Sequence, residues 1–524
     1  MISDPFARAV SAPYARMRRN IIVILGFIAF TGYVAFATAA TLFFPFAFPL
    51  FLAPALFFIL GAAPRARAFP RRLVWPLVLT GAALMPFWPN YVNVSIGSLP
   101  ILTPPRIIFY LLSLIWIYDM VASPWRRGVF LTALLRRRWL AASVLGFFVL
   151  CLLSIPLAEG TRFAAQYFFR QIMIWLLPFC ICVAYVRRWR DFRTIIVASV
   201  IGAAAAGAIA IGEVATNTLV ASKLAPIFLS DGEWLRIIEL EKSRDGVFRA
   251  QSTHTHPISL GEFLGLAAPF AIVLILSGKG WGRAFWALAF CLIVMGALAT
   301  GSRGALLGVV AGAGVTLGAL VLRVLRDPRQ YKFRPAIGLA SVMLIAASPI
   351  MGAVAYKMIT GGAGTAASRS SESRIDQIKM GWPSIKKRPV IGYGTGRAAK
   401  VVGFVGRTLS LDNYYLSLTV DLGFPGPIIF IAMMVIAINI AMKEAKTGPP
   451  SIRWLLIAFA GAMASFAVSR IILSQTGNLN YIYPLIGAFL GASAFSASAP
   501  RRARHRRRRA YYSPAMYNVP PARA

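Results

Sequence analysis

Apolar runs of about 20 residues recur along this chain, and they limit its possible folds more than any other feature. A helix needs about 20 apolar residues to cross the hydrocarbon core of a bilayer. Of the 524 residues, 58% are hydrophobic and only 14% are charged, which is more apolar surface than a soluble domain can bury. We therefore predict an all-α polytopic membrane protein with about 12–14 transmembrane helices and one large outer loop between late helices. The predicted spans are 21–40, 42–62, 73–89, 104–121, 140–157, 168–186, 194–213, 258–277, 284–300, 304–322, 336–357, 414–442, 454–473 and 482–497.

Basic residues follow the order of these spans. Arg and Lys cluster in every second connection, at 16–19, 65–72, 126–138, 187–193, 323–334 and 501–509. Such residues accumulate on the cytoplasmic side of membrane proteins. The net charge of +38 is then a matter of topology, with membrane lipids as the partner of the basic loops and no nucleic-acid partner expected.

The alternation of spans and basic loops predicts the organisation of the chain. Both termini are cytoplasmic, and the chain divides into a cytoplasmic N-terminus at 1–20, N-terminal transmembrane helices at 21–213, an outer loop at 214–257, central transmembrane helices at 258–357, a large outer loop at 358–412, C-terminal transmembrane helices at 413–497 and a basic, disordered cytoplasmic tail at 498–524. The 358–412 loop is the largest polar interruption, so we expect chemistry on water-soluble groups at its mouth.

Arginines on the outer side are candidates for function, because the positive-inside bias disfavours them there. Arg303 lies in the tight connection 300–304, where its guanidinium can bind an oxyanion in a bidentate manner or extend to a headgroup phosphate. Arg249 precedes His254 and the pair His256-Pro257. The imidazoles can serve as acid–base groups, or His256-Pro257 can begin a helix.

The large loop has two patterned segments. Apolar residues at spacings of three and four predict a short amphipathic helix that is broken near Pro383, with Ser371 or Ser373 as its N-cap and Arg374 in its first turn. Those apolar residues are Ile375, Ile378, Trp382 and Ile385. Three further glycines, Gly392, Gly394 and Gly396, do not have the spacing of a nucleotide-binding fingerprint and predict a flexible turn.

Several motifs occur together around this loop. They are Arg249 with His256-Pro257 and Gly261, then Gly301-Ser302-Arg303-Gly304, then Ser373-Arg374, Trp382 and Pro389-Val390-Ile391-Gly392-Tyr393-Gly394, then Asp412-Asn413-Tyr414-Tyr415-Leu416 and Asp421-Leu422-Gly423-Phe424-Pro425-Gly426. In this order they resemble the superfamily of O-antigen ligases and of O-antigen and exopolysaccharide polymerases. The matching region runs from about 249 to 440, and the N-terminal half matches only as a stack of helices.

The resemblance implies a glycosyltransferase of the bacterial inner membrane, active in lipopolysaccharide or exopolysaccharide biosynthesis for the cell envelope. Its donor is a glycan on undecaprenyl diphosphate at the periplasmic face, and its acceptor is another glycan or lipid A–core. No metal or cofactor is needed, and a chain-length regulator or export proteins are the implied protein partners. The ligase motif has His directly before the Asn, whereas this chain has Asp412, which favours the polymerase over the ligase.

Within this resemblance each motif residue has an expected role. Arg249, Arg303 and Arg374 bind the diphosphate and stabilise the developing charge. Asp412 is the catalytic base, although it also suits a helix N-cap, and Asn413 orients it or the acceptor. The residues expected to bind glycan are Tyr414, Tyr415, His256 and Trp382. A transporter or flippase of lipid-linked sugar, or a non-catalytic assembly subunit, are the alternatives from other classes.

Overall fold

The computed structural model describes residues 68–94 without 90, 102–228, 246–326, 366–402, 411–448 and 450–496, together with the single residues 243 and 338. The predicted spans 21–40, 42–62 and 336–357 and both termini lie outside these residues. The helices are α1 (Arg71–Leu84), α2 (Pro104–Ala122), α3 (Pro124–Arg136), α4 (Arg138–Ser154), α5 (Thr161–Tyr185, with a π-helical turn at Ile172–Leu176), α6 (Trp189–Thr216), α7 (Val220–Phe228), α8 (Pro257–Ser277), α9 (Trp281–Ala299), α10 (Arg303–Arg326), α11 (Ala366–Lys387), α12 (Ala398–Val402), α13 (Tyr414–Leu422), α14 (Pro425–Thr447), α15 (Pro450–Ser469) and α16 (Leu479–Ser496).

Among the described helices, eight are long and apolar enough to cross a membrane, namely α2, α5, α6, α8, α9, α10, α14 and α15 (the last from Ile452). The bent pair of α3 and α4 passes the same test and raises the number to nine if it forms one span, and α16 is a shorter apolar helix. Within the described ranges, the β-structure is limited to isolated bridges, one of which pairs Val94 with Leu102. The chain is thus an all-α, multi-pass membrane protein, as predicted.

Two predicted spans were wrong. The predicted span 73–89 is a helix of only 14 residues, because α1 ends at Leu84. The predicted span 414–442 is two helices, α13 and α14, separated at Gly423, whose φ of 71° interrupts the helix before Pro425 begins the next one. A Cβ atom on Gly423 would lie 2.5 Å from the carbonyl oxygen of Pro389, so the break is fixed by contact with the large loop.

The predicted basic loop at 126–138 is also different, because residues 124–136 form the helix α3. α3 and α4 meet at an angle of 99°. Ser123 caps α3 by accepting the N–H of Arg126, and Pro124 begins it, which is a favourable N-terminal sequence. If α4 spans the membrane, α3 runs along its surface.

Contacts between helix ends sort them into two sets. At one end, which we call the basic end, Arg71 pairs with Asp191, Arg126 with Asp119, and Arg137 with Glu444, and Arg323 donates to the carbonyl of Ala445. At the other end, the loop end, Glu213 accepts from the backbone of Gln251 and Ser252, and Arg249 donates to the Thr300 carbonyl. Successive long helices alternate between the two ends, in the same order as the charge pattern of the sequence.

The centre of the bundle is a close packing of α8, α10 and α15. A Cβ on Gly261 would lie 2.1 Å from that of Ala305, and one on Gly461 would lie 2.0 Å from the Thr316 hydroxyl. Small residues let helix backbones approach closely in a membrane, where there is no hydrophobic driving force between helices. This packing brings the outer ends of the three helices to one place at the loop end.

Candidate functional site

Arg249 is fixed against the end of α9. Its side chain is 7% exposed, and its Nε donates to the carbonyl of Thr300 at 2.9 Å. Gly301 has a φ of 55°, and a Cβ there would lie 3.1 Å from Cγ of Arg249. Because only glycine both tolerates this φ and leaves room for the arginine, the turn 300–302 holds Arg249 close to the start of α10. The sequence predicted that these segments share a site, and the structure brings them together.

Arg303 is the first residue of α10 and is partly buried. The hydroxyl of Ser302 accepts the N–H of Ala305 at 3.3 Å and so caps the helix. The positive end of the helix dipole adds to the guanidinium charge and favours an anion at this point. A Cβ on Gly304 would overlap the side chain of Ile472, so the first turn of α10, which Arg303 begins, borders the connection between α15 and α16, residues 470–478.

Arg374 lies in the middle of α11, not in its first turn as predicted. α11 begins at Ala366 and continues past Pro383 to Lys387, so neither the predicted cap at Ser371 or Ser373 nor the predicted break occurs. Gln377, three residues after Arg374 and 1% exposed, accepts the backbone N–H of Asp412 at 2.9 Å. Residues three apart lie on the same side of a helix, so the side of α11 that carries Arg374 also holds Asp412.

Asn413, and not Asp412, is the N-cap of α13. Its side-chain oxygen accepts the N–H of Leu416 at 3.1 Å. The cap alternative for Asp412 is therefore wrong, and Asn413 has a structural task beyond the orienting role predicted for it. Asp412 is partly buried at the beginning of this turn.

Tyr414 and Tyr415 face the inside of the bundle. Tyr414 is 4% exposed, with its ring 5.1 Å from that of Phe430, so a sugar cannot stack on it in this conformation. The Tyr415 hydroxyl donates to the carbonyl of Ala467 at 2.7 Å. Both hold α13 against its neighbours, which contrasts with the glycan stacking predicted for them.

Trp382 and His256, the other predicted glycan contacts, differ in accessibility. Trp382 is 47% exposed on α11, and the Lys386 ammonium lies 5.7 Å from its ring. His256 is the N-cap of α8, since its Nδ1 accepts the N–H of Ile258 at 3.2 Å, which agrees with the helix-entry alternative. The exposed indole of Trp382 has the amphipathic surface on which a sugar can stack.

His254 stacks on Phe263, with 5.5 Å between the ring centroids. Burial lowers the pKa of this loop imidazole to about 4, against an opposing hydrogen bond from Asn478, so it is neutral at pH 7. No three His, Cys, Asp or Glu side chains lie close enough to hold a metal ion in the part of the chain that the structure describes.

A buried ion pair that the sequence reasoning did not find lies beneath these residues. Arg470 and Glu262 are 0% and 1% exposed, and the guanidinium donates to the carboxylate. Asn478 donates to the same carboxylate at 2.8 Å, and Arg470 Nη1 donates to the carbonyl of Gln475 at 2.5 Å. Opposite charges inside two predicted spans were the signal that could have indicated it.

The connection 470–478 joins the two halves of the site. Ile472 packs against Gly304 next to Arg303, and the Ser474 hydroxyl donates to the carbonyl of Leu411 next to Asp412. The N–H of Tyr414 donates to the carbonyl of Arg470 at 3.0 Å. Arg303 and Asp412, which are 109 positions apart in the chain, therefore lie on elements that contact the same short connection.

The glycine run of the large loop is tightly packed, which corrects the predicted flexible turn. Gly392, Gly394 and Gly396 have φ values of 70°, 99° and 77°. The Asp421 carboxylate accepts the N–H groups of Gly396, Arg397 and Ala398 at 2.6 to 2.9 Å. The turn thus closes over the end of α13, and its glycines are needed for their positive φ.

The same turn contacts the N-terminal half of the chain. The N–H of Thr395 donates to the Ser154 hydroxyl at 3.2 Å, and its own hydroxyl accepts from Gln171 at 3.3 Å. A Cβ on Gly394 would lie 2.2 Å from that of Ala158. The N-terminal helices, which resemble the family only as a stack of helices, therefore form the surface against which the large loop packs.

The fold and this site define a class, that of multi-pass membrane proteins with an arginine-rich site beneath a large loop. Residues 288–431 match the family model described as Wzy_C, O-antigen ligase. This match lies within the region of the predicted resemblance and supports a relationship to the O-antigen ligase-related superfamily, whose members ligate or polymerise glycans. It includes Arg303, Arg374 and Asp412 but not Arg249 or Arg470. The search of curated proteins found no match.

Proposed function

We propose that this protein is a metal-independent glycosyltransferase that polymerises glycan repeat units carried on undecaprenyl diphosphate. The O-antigen ligase match supports ligation or polymerisation in general. The observation that carries the finer proposal is the shared contact of the 470–478 connection with the segments of Arg303 and Asp412. A cation for the leaving diphosphate and a carboxylate for the attacking hydroxyl are what such a transfer requires.

In the proposed reaction, a sugar hydroxyl of the acceptor attacks the anomeric carbon of the carrier-linked glycan. A new carbon–oxygen bond forms, the bond from that carbon to the diphosphate oxygen breaks, and the diphosphate leaves on its lipid. Asp412 accepts the proton of the hydroxyl, so charge and atoms balance. A single displacement of this kind inverts the anomeric configuration.

The three arginines have separable roles. Arg303, at the positive end of α10, stabilises the charge that develops on the leaving diphosphate, because a guanidinium can bind two of its oxygens at once. Arg249, already held by Thr300, and Arg374 on α11 also bind the diphosphate. Trp382 offers an exposed ring for the glycan, and Asn413 fixes the backbone next to the base.

Ligation to lipid A–core is the second candidate, and the position of Asp412 distinguishes the two in this proposal. The ligase motif of the resemblance has His at this position, whereas here a carboxylate precedes Asn413. A transporter of lipid-linked glycan is the third candidate, and it has no need of a base beside the arginines.

The proposed location is the bacterial inner membrane, with the loop end in the periplasm and both termini in the cytoplasm. Arg71, Arg126, Arg137 and Arg323 at the basic end support this orientation through the positive-inside rule. The implied partners are the carrier-linked donor and a glycan or lipid A–core acceptor, with a chain-length regulator or export proteins beside them.

Purified full-length protein with short undecaprenyl diphosphate-linked repeat units tests the proposal. A ladder of lengthening carrier-linked products is expected without any other acceptor. Transfer that begins only when lipid A–core is added would replace the polymerase by the ligase. Movement of intact carrier-linked glycan across liposomes, with neither product formed, would replace both by the transporter.

A further inference from the structure

Arg187, at the basic end, is surrounded by other arginines. It lies in the short connection between α5 and α6, and the positive charges of Arg126, Arg71 and Arg188 act on it. Arg126 is already paired with Asp119, and Arg71 with Asp191. Among the described residues, the two carboxylates beside this position are thus paired with other arginines, and the Arg187 side chain has no acidic partner there.

The Arg187 side chain is also partly withdrawn from solvent. Its guanidinium carbon lies 4.6 Å from the centre of the Trp125 ring and 5.9 Å from that of Phe495. Its Nε donates to the Ala184 carbonyl at 3.4 Å, but its buried Nη2 has no hydrogen-bond acceptor among the described residues. A buried donor without an acceptor is costly, so an oxygen-rich anion is the group that this position favours.

Burial and the three neighbouring guanidinium groups lower the pKa of Arg187 to about 10. The first effect is desolvation and the second is repulsion between like charges. A bound anion removes the repulsion, which links the occupancy of the position to the stability of this end of the bundle.

The surroundings indicate a lipid surface. Arg187 connects two helices that are long enough to span a membrane, α5 and α6, so it lies near the end of both spans. Trp125 on α3 and Trp139 on α4 are 60% and 68% exposed, and exposed tryptophans are enriched at the headgroup level of a bilayer. If α4 spans the membrane, the angle of 99° between α3 and α4 sets α3 along that surface.

We propose that Arg187 and Arg188, with the Trp125 ring as one wall, bind the phosphate group of an anionic phospholipid at the surface of the membrane. This site is independent of the glycan reaction, which lies at the opposite end of the bundle. It takes a phosphate because a phosphate supplies several strong acceptor oxygens to a planar guanidinium.

Native mass spectrometry of the full-length protein in a non-ionic detergent tests the proposal. The probes are phosphatidylglycerol, phosphatidylcholine with the same acyl chains, and inorganic phosphate. We expect one phosphatidylglycerol to be retained in preference to phosphatidylcholine, and about a fivefold loss of its affinity in Arg187→Gln. The matched control is Arg190→Gln, an exposed arginine in the first turn of α6 that has the same change of charge.

The thermal unfolding midpoint gives a second readout. Phosphatidylglycerol is expected to raise it in the wild type and in Arg190→Gln but not in Arg187→Gln. Arg187→Lys, which keeps the charge but not the planar fork, is expected to be intermediate and serves if Arg187→Gln does not fold. Equal retention in the Arg187 and Arg190 variants would overturn the site, and an equal effect of inorganic phosphate alone would overturn its assignment to a lipid.

Discussion

Replacing Arg470 by Met removes one half of the buried ion pair beneath the site. Arg470 and Glu262 are 0% and 1% exposed, and the remaining donor to the carboxylate among the described residues is then Asn478, at 2.8 Å. The variant leaves a carboxylate in a site from which water is excluded. The same change also removes a guanidinium that lies 4.6 Å from the Phe466 ring.

The expected decrease in the free energy of unfolding of Arg470→Met follows from these two contributions. Removing one partner of a buried pair costs about 3–5 kcal/mol, because the other charge is left uncompensated. The cation–π contact adds about 2 kcal/mol in a desolvated position. The double variant Arg470→Met with Glu262→Met leaves no charge behind, so we expect its free energy of unfolding to lie within about 2 kcal/mol of the wild-type value.

Denaturant unfolding in mixed micelles, followed by tryptophan fluorescence, measures Arg470→Met, Glu262→Met and the double variant. Arg283→Met is the control, since Arg283 is exposed and contacts the Gly278 carbonyl at the basic end. The double-mutant cycle should give a coupling of several kcal/mol for Arg470 with Glu262. A decrease of less than about 1 kcal/mol in the free energy of unfolding of Arg470→Met would contradict this prediction. So would a change in the double variant that equals the sum of the changes in the two single variants.

Three further predictions concern single side chains. Asn413→Ala should destabilise the protein by about 1 kcal/mol in the same unfolding assay while Asn413→Ser does not, because serine also caps a helix; equal losses would argue against the cap. Gly396→Ala should lower the thermal unfolding midpoint, because its Cβ would lie 2.7 Å from the Tyr167 ring at a φ of 77°. Gly282→Ala, with open space around it, should be tolerated. Equal changes of the midpoint in these two variants would contradict the packed turn. The pKa of His254 is lowered to about 4 in the folded protein, whereas free histidine titrates near 6.5. Between these two values the unfolded state binds one more proton, so the free energy of unfolding should fall as the pH falls from about 6.5 to about 4. His254→Gln should reduce this dependence on pH.

The fold was largely predictable, because apolar length determines which segments can span a membrane. The break between α13 and α14 was not, since residues 414–442 remain apolar across Gly423 and the break depends on contact with Pro389 in a distant loop. α3 was missed because a high density of arginines indicates a surface position but does not distinguish a helix from a loop.

Within the site, Arg303 was predicted because arginines are unusual on the outer side, and Asp412 was predicted from the family resemblance. Both stay predictions as catalytic residues, and the family match includes both positions. Arg470 was missed because its partner Glu262 is 208 positions away and pairing of that kind appears only in the folded chain. The cap was offered as an alternative role for Asp412 and not for Asn413, because both residue types suit it and only backbone geometry separates adjacent positions.

The rate of glycan transfer by Asp412→Asn is the most direct test of the account. Asp376→Asn is its matched control, because Asp376 is an exposed carboxylate on α11 whose contact with Lys379 spans 3.9 Å. With undecaprenyl diphosphate-linked donor and equal protein levels, we expect Asp412→Asn to lose about 10²–10⁴-fold in turnover number and Asp376→Asn to resemble the wild type. Turnover of Asp412→Asn within threefold of the wild type would contradict the assignment of Asp412 as the base.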